Sequence, residues 1–217
     1  KDLVESQAES GTQSSDFQRM MDAAVPYVAQ MQELAGIDII SDGEWRRQSY
    51  IGVIADICSG FELFVKDVDG QRQTWHVVTS ELRPTNPGQI AHEARFLKAH
   101  TDRDVKVALP SPYLLGERMW DPERSRDAYP PRRDFTESLV PILRHELMAL
   151  RDEGVAMATV PVGSVVNPRA MTAAHLASVE AIMAGGPEAA AVITVGANGM
   201  VSTEIPVRLE NPTDGLV

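Results

Sequence analysis

Gly36-Ile37-Asp38-Ile39-Ile40-Ser41-Asp42-Gly43-Glu44-Trp45-Arg46-Arg47 runs from a glycine through a short apolar segment into a charged turn. The apolar part reads as a buried strand, and the charged part as the loop at its carboxyl end. Upstream, Phe17, Met20, Met21, Ala24, Val28, Met31 and Leu34 recur at three-to-four spacing, which predicts an amphipathic helix ending near Ala35. Ser15 or Asp16 suits its N-cap, and Gly36 suits a left-handed C-terminal cap. Pro26 falls inside the pattern and predicts a kink or two helical pieces. The same grammar returns downstream: Leu139, Leu143, Leu147 and Leu150 share a helix face, Gly154 closes it, and Val155–Val160 reads as a strand. Between the two units lie a helix over Gln89–Ala99 and a strand over Val105–Leu109, stopped by Pro110-Ser111-Pro112. Helices alternating with short apolar strands predict an α/β fold with a parallel sheet and right-handed crossovers.

Two segments interrupt this alternation. Residues 62–79 predict an inserted β-hairpin turning at Asp69-Gly70, and 117–134 is a charged, proline-bearing excursion. Residues 161–217 change character, with a helix expected over Arg169–Ala184 and strands over Ala190–Val195 and Met200–Leu209. No fixed-period repeat divides the chain, so 1–217 reads as a single domain.

Composition narrows the partners. Of 217 residues, 43% are hydrophobic and 24% charged, an ordinary globular balance. Twenty basic against 31 acidic residues give a net charge of −11, which disfavours nucleic acid and anionic membranes. No apolar run approaches the roughly 20 residues of a membrane span. The first residues show no signal-peptide core. The one cysteine, Cys58, excludes an intramolecular disulfide and an all-cysteine metal cage. A cytoplasmic location is the expectation from these features.

In parallel α/β folds, loops leaving the carboxyl ends of strands build the site. Of the three such ends, Ser41–Arg47 is the richest. Asp42 and Glu44 with Arg46 and Arg47 suit a zwitterion, carboxylate facing ammonium and arginine facing carboxylate. The same residues suit a plain capped turn with solvated arginines. Ser111 ends the second strand, where its hydroxyl either touches a substrate or belongs to a stiff turn. Cys58 follows Ile54, Ala55 and Ile57 and reads as a buried small hydrophobe. His76, His92, His100, His145 and His175 contain no i, i+4 metal pair. His76, beside Trp75 in the hairpin, is placed to reach over the strand ends. Trp120 and Tyr129 suit either stacking on a flat ligand such as a pterin or anchoring a lid.

The residues 36–47 resemble the G-I/L-D-V-I/L-x-D/H-G-E-x-x-R segment of cobalamin-independent methionine synthases and their shorter relatives. Gly60-Phe61 follows in register. Asp104-Val105-Lys106-Val107-Ala108-Leu109-Pro110-Ser111-Pro112 is similar to the family's vKvtlpGP strand. Asp134-Phe135 with Glu146-Leu147, Leu150 and Gly154 is similar to the helix before its iQiDEP strand. The resemblance covers about residues 17–160. It implies a (β/α)8 barrel and methyl or alkyl transfer to a zinc-activated thiolate, with methyltetrahydrofolate as donor and homocysteine as acceptor. It implies that Glu44 meets the acceptor's amino group, which favours the binding reading, with Asp42, Glu44, Arg47 and Ser111 as substrate contacts.

The chain departs from the family at several points. Pro161 stands where the family's amino-acid-binding aspartate would be, and proline cannot accept an ammonium hydrogen bond. The family's zinc needs a His-x-Cys pair and a further cysteine; after residue 160 there are His175 and no cysteine. Zinc and a folate donor are thus implied by the family, but zinc ligands are not recognisable here. The family's opening IGSFPR strand has no counterpart before Phe17. A (β/α)8 barrel typically takes about 250 residues, so 217 reads as short by a strand–helix unit. Two functions follow: a diverged transferase homologue that binds a small amino-acid or thiol substrate, or a non-catalytic, incomplete barrel subunit that needs a partner chain or a second copy.

Overall fold

In the computed structural model, residues 15–47, 49–68, 70–165, 192–195 and 201–208 are described. The opening helix, α1 (Ser15–Leu34), is one element that carries Pro26 in its interior rather than two pieces. Its buried face is Phe17, Met21, Val25 and Ala29, a single i, i+4 stripe. Met20 and Met31 are exposed instead, and Leu34 is 76% exposed. The helix presses one narrow stripe onto the body, so the wider apolar face expected from the periodicity is only partly used.

Gly36, at φ 77°, reverses the chain after α1. Its N–H donates to Glu33 O at 2.9 Å and that of Ile37 to Gln32 O at 3.1 Å, satisfying carbonyls the helix leaves open. Strand β1 (Ile39–Ile40) follows. Ile40 is fully buried but Ile39 is 36% exposed, so this strand is not enclosed on both faces as expected. It lies at the edge of the sheet, which explains the difference.

A short helix, α2 (Val53–Ile57), leads into an antiparallel hairpin of β2 (Cys58–Val68) and β3 (Gln71–Pro84). The hairpin is longer than the 62–79 read from the sequence. Next come α3 (Gln89–Lys98), β4 (Asp104–Ala108), α4 (Pro112–Met119), α5 (Arg132–Asp152) and β5 (Met157–Val165). After α5, Gly154 (φ 68°) repeats the device of Gly36: Gly154 N–H meets Arg151 O and Val155 N–H meets Leu150 O. The repeated helix–glycine–strand grammar therefore has one backbone cause.

Strands β1, β4 and β5 are parallel, with Ile39 opposite Asp104 and Lys106 opposite Met157. Two further strands, β6 (Val192–Val195) and β7 (Val201–Arg208), extend the sheet in the order β1-β4-β5-β7-β6. Both join antiparallel, and Pro161 pairs in register with Glu204. Among the described residues the architecture is thus a mixed α/β sheet, parallel then antiparallel, without a closed eight-stranded ring. The helix expected over Arg169–Ala184 lies outside the described residues.

The core joins Ile40, Val105, Val107, Leu109, Ala158 and Val160 to the inner faces of α3 and α5. From α5 come Phe135, Leu139, Leu143, Leu147 and Leu150, all buried. Each such side chain contributes about 1.5–3 kcal/mol on leaving water. Among the described residues no helix is long and apolar enough to cross a membrane.

Candidate functional site at the strand ends

The loop after β1 is locked from below. Gln32 of α1 grips Ser41, its amide N donating to Ser41 O at 2.7 Å and its carbonyl accepting from Ser41 N at 3.1 Å. Asp42 Oδ1 accepts from Glu44 N at 2.9 Å, and Arg47 N donates to Glu44 O at 3.0 Å. Asp42 therefore does the work that the capped-turn reading assigns to it. Gly43 and Glu44 both have positive φ, 68° and 59°, and Glu44 is the one non-glycine residue so placed among those described. Left-handed backbone at a glutamate costs on the order of 1 kcal/mol, held here by the turn around it. That turn leaves the Glu44 side chain 29% exposed at the carboxyl end of the sheet.

Arg47 points the other way. Its side chain is 2% exposed, with Nε donating to Glu93 Oε2 at 2.9 Å and Nη1 to Ala108 O at 2.7 Å. The Glu44 carboxylate approaches Nη1 at 3.6 Å. One guanidinium thus ties the β1 loop to α3 and to the end of β4. Burial opposes its charge, but Glu93, Glu44 and Asp42 more than offset that, so Arg47 holds its proton more tightly than usual. Burial pushes the Glu93 carboxyl up to about 7, against the lowering pull of Arg47. Arg46 also turns inward, donating to Asp22 at 2.7 Å and lying 4.1 Å over the Phe96 ring. Both arginines are thus engaged in the fold, and what faces outward is a carboxylate.

Neighbouring strand ends complete the surroundings. Tyr50 Oη donates to Leu109 O at 2.7 Å, drawing the loop after Arg47 onto β4. Ser111 is fully buried, and its Oγ accepts from Leu114 N at 3.2 Å as the N-cap of α4. Its hydroxyl is accounted for by the helix it starts. Glu93 was missed by sequence reasoning, although its signal was present: it stands at i+3 on the Ile90–Ala94–Leu97 face of α3, an acid inside an apolar stripe. Glu146 has the same signature on α5, and its carboxylate accepts from Gly88 N at 2.6 Å and Ile90 N at 3.2 Å, capping α3 from outside.

The other candidates lie around this centre. The His76 ring is half-buried against Gly52, so the hairpin packs over the loop that follows Arg47, and burial lowers its proton affinity. Trp120 Nε1 donates to Tyr129 O at 3.0 Å, and Tyr129 Oη accepts from Leu82 N at 2.9 Å. These aromatic residues pin the 117–134 excursion to the hairpin. Cys58 is buried, its Sγ 3.1 Å from Ile54 O, and burial pushes its thiol up to about 12. Such a thiol is neither a nucleophile nor a metal ligand at neutral pH. His92, His100 and His145 are exposed, and His175 lies outside the described residues. Among the described residues no group of three or more His, Cys, Asp or Glu could hold a metal ion. The donors among the described residues do not fit a thiolate zinc centre.

No family model matches the chain. It is 30% identical over 142 residues to a methionine synthase of Sulfolobus acidocaldarius, covering 62% of this chain and 38% of that protein. A methionine synthase of Sulfurisphaera tokodaii is 24% identical over 147 residues, 64% of this chain and 40% of its own. The fold is similar to a B12-independent methionine synthase from Shewanella sp. W3-18-1, solved in complex with selenomethionine. The TM-score is 0.57 at 25% identity, over 67% of this chain and 42% of that one. The chain spans about two fifths of the length of the relatives it matches. Over part of their length, the chain is thus similar in sequence to these methionine synthases and in fold to the B12-independent enzyme.

Proposed function

We propose that the strand-end loop binds a small amino-acid-like ligand by its ammonium group, within a diverged methyl- or alkyl-transferase scaffold. The observation that carries this is the split between the two charges: Arg47 is buried and shared, while Glu44 stays partly open. A carboxylate held on a strained, preorganised turn loses little freedom on meeting a cation. Asp42, bonded to the Glu44 amide, adds negative charge beside it. The Shewanella homologue holds selenomethionine, an amino acid of the proposed class. As they stand, the arginines offer no free fork to a ligand carboxylate, so ammonium recognition dominates. The described donors do not fit zinc, so transfer is proposed only as a reaction class, inherited from the relatives, with no step routed through a metal. Calorimetry with L-methionine and L-homocysteine tests the site. Heat in the wild type that disappears in Glu44→Ala is expected, and equal heats in both proteins would refute it.

A second reading is favoured by one specific feature. Among the described strands, β1 pairs only with β4, and Ile37, Ile39, Met31 and Leu34 beside it are exposed. An unpaired edge next to apolar surface suits a subunit completed by a partner chain or a second copy.

A further inference from the structure

Helix α1 carries two apolar faces, and only one of them is buried among the described residues. Phe17, Met21, Val25 and Ala29 form the buried face, a pure i, i+4 stripe. The other is Met20, Ala24, Tyr27, Met31 and Leu34, spaced alternately four and three residues apart. That is the heptad spacing of a coiled-coil seam. Ala24 is half-buried and the other four are exposed, Tyr27 at 61%. The flanking positions Met21, Ala23, Val28, Gln30 and Ala35 carry no charge. The charged residues of the helix are engaged within the chain: Asp16 with Arg19, Asp22 with Arg46 at 2.7 Å, and Glu33 with Thr101.

We propose that this outer face of α1 is a self-association surface, through which two copies of the chain pair antiparallel in a two-fold symmetric dimer. It rests on the second reading above, that a further chain completes this side, and names that chain as a second copy seated on α1. The neutral seam selects the occupant. A partner recognised by charge finds nothing to read there, and a chain of net charge −11 repels its own copies unless they meet on such a face. Side-chain size selects the orientation. With the two-fold axis near residues 25–26, Ala24 of each copy lies opposite Tyr27 of the other, and Met20 lies opposite Met31. Each central layer then matches a small side chain to a large one, and the outer layers match two adaptable thioethers. A parallel pair stacks Ala24 on Ala24 and Tyr27 on Tyr27, which leaves one layer with a void and the next overfilled.

Sedimentation of the full chain across micromolar concentrations is expected to show a dimer, which Tyr27→Lys weakens about thirtyfold or more while the circular dichroism stays that of the wild type. Orientation is read by cysteine crosslinking, in which the buried Cys58 does not compete. Met20→Cys protein mixed with Met31→Cys protein is expected to form a disulfide-linked pair under a mild oxidant, while neither variant links to itself. In the antiparallel register, position 20 of one copy lies about 16 Å along the axis from position 20 of the other, beyond disulfide reach. Self-linking of each variant alone marks a parallel pair and overturns the proposal. A wild type that stays monomeric overturns it too, and leaves the second reading to a different partner chain. So does a dimer that survives Tyr27→Lys; if Ile39→Lys breaks that dimer, the second reading stands at the β1 edge instead. If Tyr27→Lys does not fold, the crosslinks decide alone: linkage of the mixed pair supports the seam, and its absence refutes it.

Discussion

Glu44 occupies a backbone conformation that glycine adopts more cheaply, with φ 59°. Its carboxylate lies 3.6 Å from Nη1 of the buried Arg47 and stays 29% exposed, so the conformation sets where the carboxylate points. Glu44→Gly is expected to raise stability by up to about 1 kcal/mol while abolishing methionine binding, as read by urea unfolding and calorimetry. A glycine variant that still bound methionine would remove Glu44 from the site. Glu93 supplies the pH counterpart. Its carboxyl is raised from 4.5 to about 7, so the folded state holds the proton more tightly than the unfolded chain. Its stabilising contribution is full below the unfolded value and is lost as pH rises through about 7. The stability of the wild type relative to E93Q should fall across that window, by on the order of 3 kcal/mol. A difference independent of pH would show that Glu93 titrates normally.

The elements around the site are joined by caps that cross between them. Ser111 starts α4 with its own hydroxyl, whereas α3 borrows the carboxylate of Glu146 from α5. Ser111→Ala is expected to cost about 1 kcal/mol in unfolding experiments, the usual worth of an N-cap. No loss would mean that the buried hydroxyl has another purpose. On α5, Leu143 sits in the core among its leucine neighbours, and Leu143→Ala should cost about 2–5 kcal/mol. The opposite case is α1, whose Met31 and Leu34 face outward; replacing them with polar residues should leave the stability of an isolated chain within about 0.5 kcal/mol.

At the scale of the molecule, three parallel strands among those described give way to an antiparallel pair, and β1 forms one edge of the described sheet. If that edge is completed by another copy or chain, Met31→Lys with Leu34→Lys should shift a sedimenting oligomer to monomer. A wild type that sediments as a monomer across micromolar concentrations excludes self-association there. Metal behaviour follows from the donors. With Cys58 buried and protonated, chelator treatment is expected to leave the thermal midpoint and methionine binding unchanged. A loss of either would point to a metal held by residues beyond those described.

The short helices α2 and α4 were not read, but from α1 to β5 the long helices, the strands and the hairpin were legible in the sequence because helix periodicity, closing glycines and short apolar strands are local signals. The same holds for the turn chemistry of Asp42-Gly43-Glu44, whose residues meet one another within the turn. Which way each arginine faces was not legible. Sequence reading set a zwitterion site with Arg47 as a ligand contact beside a capped turn with solvated arginines; in the structure Arg46 and Arg47 are each hydrogen-bonded to an acid far away in sequence, Asp22 and Glu93. The exposure of Ile39 and the antiparallel approach of β7 to β5 depended likewise on which strand became a neighbour. The sequence by itself determined the local grammar and put Glu44 at a strand end. Only the tertiary structure decided that Glu44 faces outward with Arg47 held behind it, because burial and pairing of charge are set by residues that the chain brings together from a distance.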